Sequence, residues 1–91
     1  MDNYSQIASQ IIKYQERIIG PIALEQAKKV EGLDVGNLDN VKINGDVKTV
    51  LGNLVGQYFK LFGNASIEVC KEALIETKVE VPKEQLPEIL R

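Results

Sequence analysis

The chain has 91 residues, of which 44% are hydrophobic and 26% are charged, and its formal net charge is −2. This composition is typical of one folded globular domain, so residues 1–91 are expected to form a single domain and a disordered chain is excluded. The near-neutral charge gives no general attraction to nucleic acid or to an anionic membrane, and the absence of histidine excludes imidazole catalysis and imidazole metal ligation.

The first helical pattern covers residues 4–19. Its apolar residues recur on one side of a helix and cover an arc of roughly 160° at ~100° per residue. Asn3, with Gln6 further along, resembles the capping box that begins a helix. The arc is wider than packing on one neighbouring helix requires, so Ile12 and Ile19 are candidates for contact with a partner protein.

A second helix is predicted over residues 21–31. Gly20 interrupts the first pattern, and Pro21 suits the first position of a new helix because the N–H that proline lacks is unpaired there in any case. Gly32 follows as the left-handed residue that ends a helix. The connection between the first two helices is therefore short, which favours antiparallel or sharply crossed neighbours.

Residues 33–45 change character, because Asn, Asp and Gly dominate and the only periodicity is a short alternation. Residues 33–35 and 41–43 can pair as a small hairpin across Gly36–Asn40. A two-stranded hairpin is marginal unless it packs on helices, so an ordered loop is the alternative for residues 33–43. The carboxylates and amides of this segment do not follow the spacing of a calcium-binding loop, and turn chemistry explains them.

The strongest pattern in the chain predicts a third helix over residues 46–62, with Asp46 as its N-cap and Gly63 as its C-cap. One broad apolar face repeats at helical spacing, which identifies a central core helix. The residues of this apolar stripe are Val47, Val50, Leu51, Leu54, Val55, Tyr58, Leu61 and Phe62. The stripe explains folding, and no catalytic or nucleotide-binding motif accompanies it.

A second strip runs along the same helix, roughly 100° from the apolar stripe, and contains Gly52, Gly56 and Phe59. Each interior glycine costs about 1 kcal/mol relative to alanine, and this cost is tolerated where another backbone comes close. The glycine strip therefore predicts either a protein–protein contact or close packing against the first or fourth helix of the same domain.

A fourth helix is predicted over residues 65–78 with Asn64 as its N-cap, and a short turn of helix is predicted over residues 83–90. Cys70 lies among apolar residues of the fourth helix and is expected in the core, where burial raises the pKa of a thiol. The glutamates of this helix make it a poor reader of DNA, because phosphates repel them.

Together these patterns predict a small all-α domain of four helices that is not an enzyme and has no catalytic residue, metal site or cofactor. The expected function is that of a cytoplasmic interaction or regulatory module that associates with itself or with another protein through apolar helix faces. The alternative is a helical sensor domain that binds a small apolar ligand or cofactor. A partner surface requires an exposed apolar patch of several hundred Å², whereas ligand binding requires a cavity of about 300 Å³ or more.

Overall fold

The computed structural model describes residues 2–37 and 39–91. In chain order its elements are α1 (Asn3–Ile19), α2 (Ile22–Ala27), β1 (Leu33–Asn37), β2 (Asn40–Ile43), α3 (Val47–Phe62) and α4 (Asn64–Thr77), then two short 3₁₀ helices, Lys83–Gln85 and Glu88–Leu90. Met1, in the predicted domain 1–91, and Leu38, in the predicted hairpin turn, lie outside the described residues. The described part is mostly helical with a small two-stranded hairpin, which agrees in outline with the predicted fold class.

Helix α1 lies at the centre of the domain and packs against α2, α3, α4 and β2. Its N-cap is Asp2, whose Oδ1 accepts a hydrogen bond of 2.8 Å from the backbone N–H of Ser5, so the predicted cap at Asn3 is wrong by one residue. The wide apolar arc is explained by these neighbours on several sides, and most of it is used inside the domain.

Helix α2 is shorter than the predicted range of 21–31, because its last residue is Ala27 and residues 28–32 form turns. Gly32 has a positive φ of 86°, as predicted for the residue that stops this segment. A Cβ at this position would lie 2.8 Å from the backbone oxygen of Asn44 and 2.8 Å from Val50 Cγ2. Glycine is therefore needed here both for its conformation and for the close approach of β2 and α3.

Residues 33–37 and 40–43 form the two strands of a hairpin, so the alternative of an ordered loop is wrong. Strands β1 and β2 are antiparallel, and Leu33 pairs with Ile43 while Val35 pairs with Val41, which is the predicted register. Leu33 and Val41 are buried, and β2 packs against α1. A lone hairpin is marginal in water, so this contact with α1 is what stabilises it.

Helix α3 begins and ends as predicted. Asp46 Oδ2 accepts hydrogen bonds from the backbone N–H of Thr49 at 2.9 Å and from its hydroxyl at 2.6 Å. Gly63 has a φ of 71°, and its N–H donates to the Phe59 carbonyl at 2.8 Å. Asn64 is already the first residue of α4, so the predicted N-cap at Asn64 is wrong and Gly63 takes that place.

The C-terminal segment docks on the helices through Leu86 and Leu90, which are buried, and packs against α4. The predicted single turn over residues 83–90 is instead two 3₁₀ helices separated by Pro87. The buried apolar side chains of the described residues belong to one core cluster that takes residues from every α-helix and from both strands. Among the described residues, no helix has the length and apolar character needed to cross a membrane.

Candidate functional site

The residues predicted as a partner surface separate into different environments. Ile12 is completely buried in the core, so its assignment to an interface is wrong for the folded chain. Ile19 is half-buried against the core cluster at the end of α1. Gly52, Gly56 and Phe59 lie on α3, and Phe59 is largely exposed. The structure therefore does not bring these five residues together on one surface.

The glycine strip on α3 is not a site of close helix packing. A Cβ on Gly52 would lie at an ordinary contact distance of 3.5 Å from Pro87 Cβ of the C-terminal segment. A Cβ on Gly56 would meet no atom of a neighbouring element within 4 Å among the described residues. The predicted packing against the first or fourth helix is therefore absent at Gly56, and the strip forms an open surface.

This surface forms the floor of a polar cleft of about 360 Å³ beside α3, hereafter the polar cleft. Its lining residues are Lys29, Val30, Glu31, Gly52, Asn53, Gly56, Gln57 and Lys60. Below the cleft, Gln57 Nε2 donates a 2.9 Å hydrogen bond to Gln26 Oε1 and so joins α3 to α2. Two lysines and one glutamate on flexible chains make a solvated surface with no group arranged for catalysis.

A second depression, hereafter the apolar groove, lies where the C-terminal ends of α1 and α3 meet the first half of α4. Its volume is about 300 Å³. Its lining residues are Gln15, Ile18, Ile19, Phe62, Ala65, Ser66 and Val69, none of which is ionisable. Apolar walls with few polar groups are typical of a surface that excludes water when it binds a partner or a ligand.

The apolar groove exists because the core-facing sides of two helices extend past the core. Ile18 recurs with Ile7 and Ile11 on the buried face of α1, yet its side chain is 64% exposed. Leu61 and Phe62 continue the apolar stripe of α3, yet they are 48% and 40% exposed. The chain turns at Gly20 and Gly63, directly after these helix ends, and the side chains remain partly exposed to water.

One polar side chain lies at the base of the groove. Gln15 is only 1% exposed, and its Nε2 donates hydrogen bonds to the Ser66 carbonyl at 3.0 Å and to Cys70 Sγ at 3.4 Å. A carbonyl oxygen can only accept, so the bond to Ser66 determines which end of the amide is nitrogen. The sequence-based reasoning missed Gln15, although a glutamine in register with the apolar residues of α1 was a usable signal.

The two buried titratable groups are unsuited to catalysis. Burial raises the pKa of the Cys70 thiol to about 11, so the thiol stays protonated at neutral pH and is a poor nucleophile. Burial likewise raises the pKa of Tyr58, whose hydroxyl donates a 2.7 Å hydrogen bond to the Ala23 carbonyl. The predicted core position of Cys70 is confirmed. For Tyr58 a core or an interface position was expected, and it lies in the core, since both residues are completely buried.

No group of three or more His, Cys, Asp or Glu side chains within residues 2–37 and 39–91 is placed to hold a metal ion. In the hairpin, Asn37 Oδ1 accepts a 2.8 Å hydrogen bond from the backbone N–H of Asp39, as in an Asx turn. Asp39 also forms a 3.4 Å ion pair with Lys13. Asn37 and Asp39 therefore serve the hairpin and its contact with α1.

The apolar groove is the site that this geometry favours over the polar cleft. Comparison with known proteins does not assign it, because no protein-family model matches the chain and neither the curated proteins nor the solved structures contain a significant match.

Proposed function

We propose that the chain is a small non-enzymatic interaction module that forms a homodimer through the apolar groove and the exposed side chains beside it. The single observation behind this proposal concerns Ile18, Leu61 and Phe62. They lie on the core-facing sides of their helices, but at helix ends that extend past the core, so they are exposed. These residues are 64%, 48% and 40% exposed, so apolar surface is left for a partner to cover. A partner that covers them gains about 25 cal/mol for each Å² of apolar surface that leaves water.

A second copy is the partner that the surface fits. Phe62 both protrudes and lines the groove, so a two-fold axis allows each copy to insert Phe62 into the groove of the other. Exposed residues of both signs of charge neighbour the groove-lining residues in the sequence, since Arg17 precedes Ile18 and Glu68 precedes Val69. The net charge of −2 opposes self-association only weakly.

The proposed interface is larger than the groove alone. A standard interface buries about 800 Å² on each partner. The accessible surface of the chain is 5167 Å², so an interface of this size covers only a part of it but extends beyond the groove. The groove therefore supplies the apolar centre, and the charged residues at its edge supply the polar border that such interfaces have.

Sedimentation or light scattering with a matched pair of variants tests this proposal. Phe62→Glu places a charge in the apolar centre, and we expect it to convert a dimer into a folded monomer. Ile75→Glu is the control, since Ile75 is the most exposed large apolar residue, at 76%, and lies on another part of α4. A wild-type chain that stays monomeric at high micromolar concentration, with no partner recovered from cells, would remove the support for this function.

The proposal includes no chemical step. The described structure offers a protonated buried thiol, no histidine and a solvated polar cleft, and these support a binding function. A buried free thiol is compatible with a reducing compartment, which supports the proposal that the module is cytoplasmic.

A sensor for a small apolar ligand is the second candidate function. Its support is the groove volume of about 300 Å³, which lies at the lower limit of small-molecule sites. A chain that binds an apolar molecule as a monomer, and loses that binding when the groove is filled, would favour this function.

A further inference from the structure

The side chain of Gln15 carries an unused hydrogen-bond acceptor at the apolar groove. The hydrogen bonds that Gln15 makes to Ser66 and Cys70 both come from its Nε2, and none to its Oε1 is found among the described residues. Gln15 is only 1% exposed, and it lines the groove. An atom of Gln15 that is reached from outside is therefore reached through the groove.

We infer that the apolar groove binds a small neutral molecule with an aliphatic or aromatic body and one O–H or N–H group, which donates a hydrogen bond to Gln15 Oε1. The inference rests on the second candidate function, ligand binding in the groove, and specifies its ligand class. A ligand with a donor is favoured over a purely apolar one. An apolar ligand would cover the Gln15 acceptor without giving it a donor, and the acceptor would lose its hydrogen bond to water.

The lining of the groove restricts the charge that a ligand can carry. None of the groove-lining residues is ionisable, so an ion that enters the groove loses water and gains no counter-charge. A carboxylate would also place its oxygens against Oε1, and two acceptors repel each other. A neutral alcohol or amide satisfies both conditions.

The geometry also restricts the ligand in size and in orientation. The volume of about 300 Å³ admits only a small molecule. The amide of Gln15 is held in one orientation by the Ser66 carbonyl at 3.0 Å, so the acceptor is ordered before the ligand arrives. An ordered acceptor costs less conformational entropy on binding than a mobile one. The donor end of the ligand is expected next to Gln15, with its apolar body against Phe62 and Val69.

A pair of isomeric probes tests this inference on the unaltered chain. n-Heptanol and methyl hexyl ether have the same atoms and nearly the same apolar surface, but only the alcohol has an O–H donor. Binding is followed by chemical shifts in two-dimensional NMR at a protein concentration where the chain is monomeric. We expect the alcohol to bind about three- to tenfold more tightly than the ether, which is the effect of one neutral hydrogen bond.

Three variants complete the experiment. Gln15→Met keeps the length of the side chain and removes the acceptor, so the preference for the alcohol is expected to disappear even where overall affinity changes. Ala65→Phe fills the groove and is expected to abolish binding of both probes, and Ile75→Phe, which adds the same ring away from the groove, is its control. The ratio of the two affinities is the readout, because general damage to the fold affects both probes alike.

The outcomes separate this inference from the function on which it rests. Preference for the alcohol that is lost in Gln15→Met supports the inference. Equal binding of the two isomers at the groove overturns it and leaves the ligand-binding function intact. Binding of neither probe overturns both. Phe62 of a second copy and the ligand would occupy the same groove, so the homodimer is measured separately by sedimentation.

Discussion

The apolar stripe of α3 is buried along its first three turns and exposed along its last turn. The stripe residues from Val50 to Tyr58 are no more than 4% exposed, whereas Leu61 and Phe62 on the same stripe are exposed by almost half. Both parts have the same spacing and the same chemistry. The difference shows that helical periodicity specifies the direction of a side chain, while burial depends on where the neighbouring elements end.

The largest effect is expected from shortening one leucine in each part of the stripe. Leu54→Ala removes fully buried methyl groups and should lower the free energy of unfolding by about 2–5 kcal/mol. Leu61→Ala should lower it by less than about 1 kcal/mol at a concentration where the chain is monomeric. Urea unfolding of the two variants measures both values. Similar losses of stability in the two variants would mean that Leu61 is buried in the monomer, contrary to its exposure in this structure.

A smaller effect, confined to high pH, is expected from the buried thiol next to this stripe. Burial raises the pKa of Cys70 from 9.0 to about 11, so the unfolded chain loses its proton at a lower pH than the folded chain. The thiol therefore favours the folded state fully below pH 9, and this contribution is lost as the pH rises to 11. The contribution of Cys70 to the free energy of unfolding should fall by about 2–3 kcal/mol over this range, and the raised pKa of Tyr58 adds to the fall for the whole chain.

The control for this pH effect is Cys70→Ala, which keeps the similar contribution of Tyr58. Its stability should fall less steeply between pH 9 and pH 11 than that of the unaltered chain. Identical slopes in unfolding experiments would show that the thiol is accessible to water in the folded state, contrary to its complete burial.

The smallest effect is expected on the outer side of α3. Gly56 has open space around it, so Gly56→Ala adds a methyl group without a clash and removes the helix penalty of glycine. The melting temperature should rise, with a gain of about 0.5–1 kcal/mol in the free energy of unfolding. Self-association should not change. A weaker dimer in Gly56→Ala would show that a partner approaches the glycine strip, and would move the interface away from the apolar groove.

Much of the fold was predictable from the sequence, because local chemistry determines it. The cap at Asp46, the turns at Gly32 and Gly63 and the hairpin register each follow from residues close together in the chain. The early end of α2 was not predictable in this way. Residues 28–32 form turns, although none of residues 28–31 is a glycine or a proline.

For the candidate site, the type of binding surface was predictable from the sequence, but most of the residues that form it were not. The sequence indicated apolar helix faces as the binding surface, but it assigned Ile12 to the interface and Leu61 and Phe62 to the core. In the structure Ile12 is buried, whereas Leu61 and Phe62 are exposed. The reason is that other elements surround the middle of α1, while the C-terminal ends of α1 and α3 extend beyond their neighbours. Gln15 joins the site only through Ser66 and Cys70, which lie more than fifty residues away in the sequence.

The most direct measurement of the central claim is a dilution series of two-dimensional NMR spectra of the unaltered chain. Signals that move with protein concentration identify the surface of self-association residue by residue. We expect the largest shifts at Ile18, Leu61 and Phe62 and in the first turn of α4, with none at Ile75 or Gly56. Spectra that do not change with concentration, or shifts centred on the glycine strip, would contradict the assignment of the apolar groove as the interface.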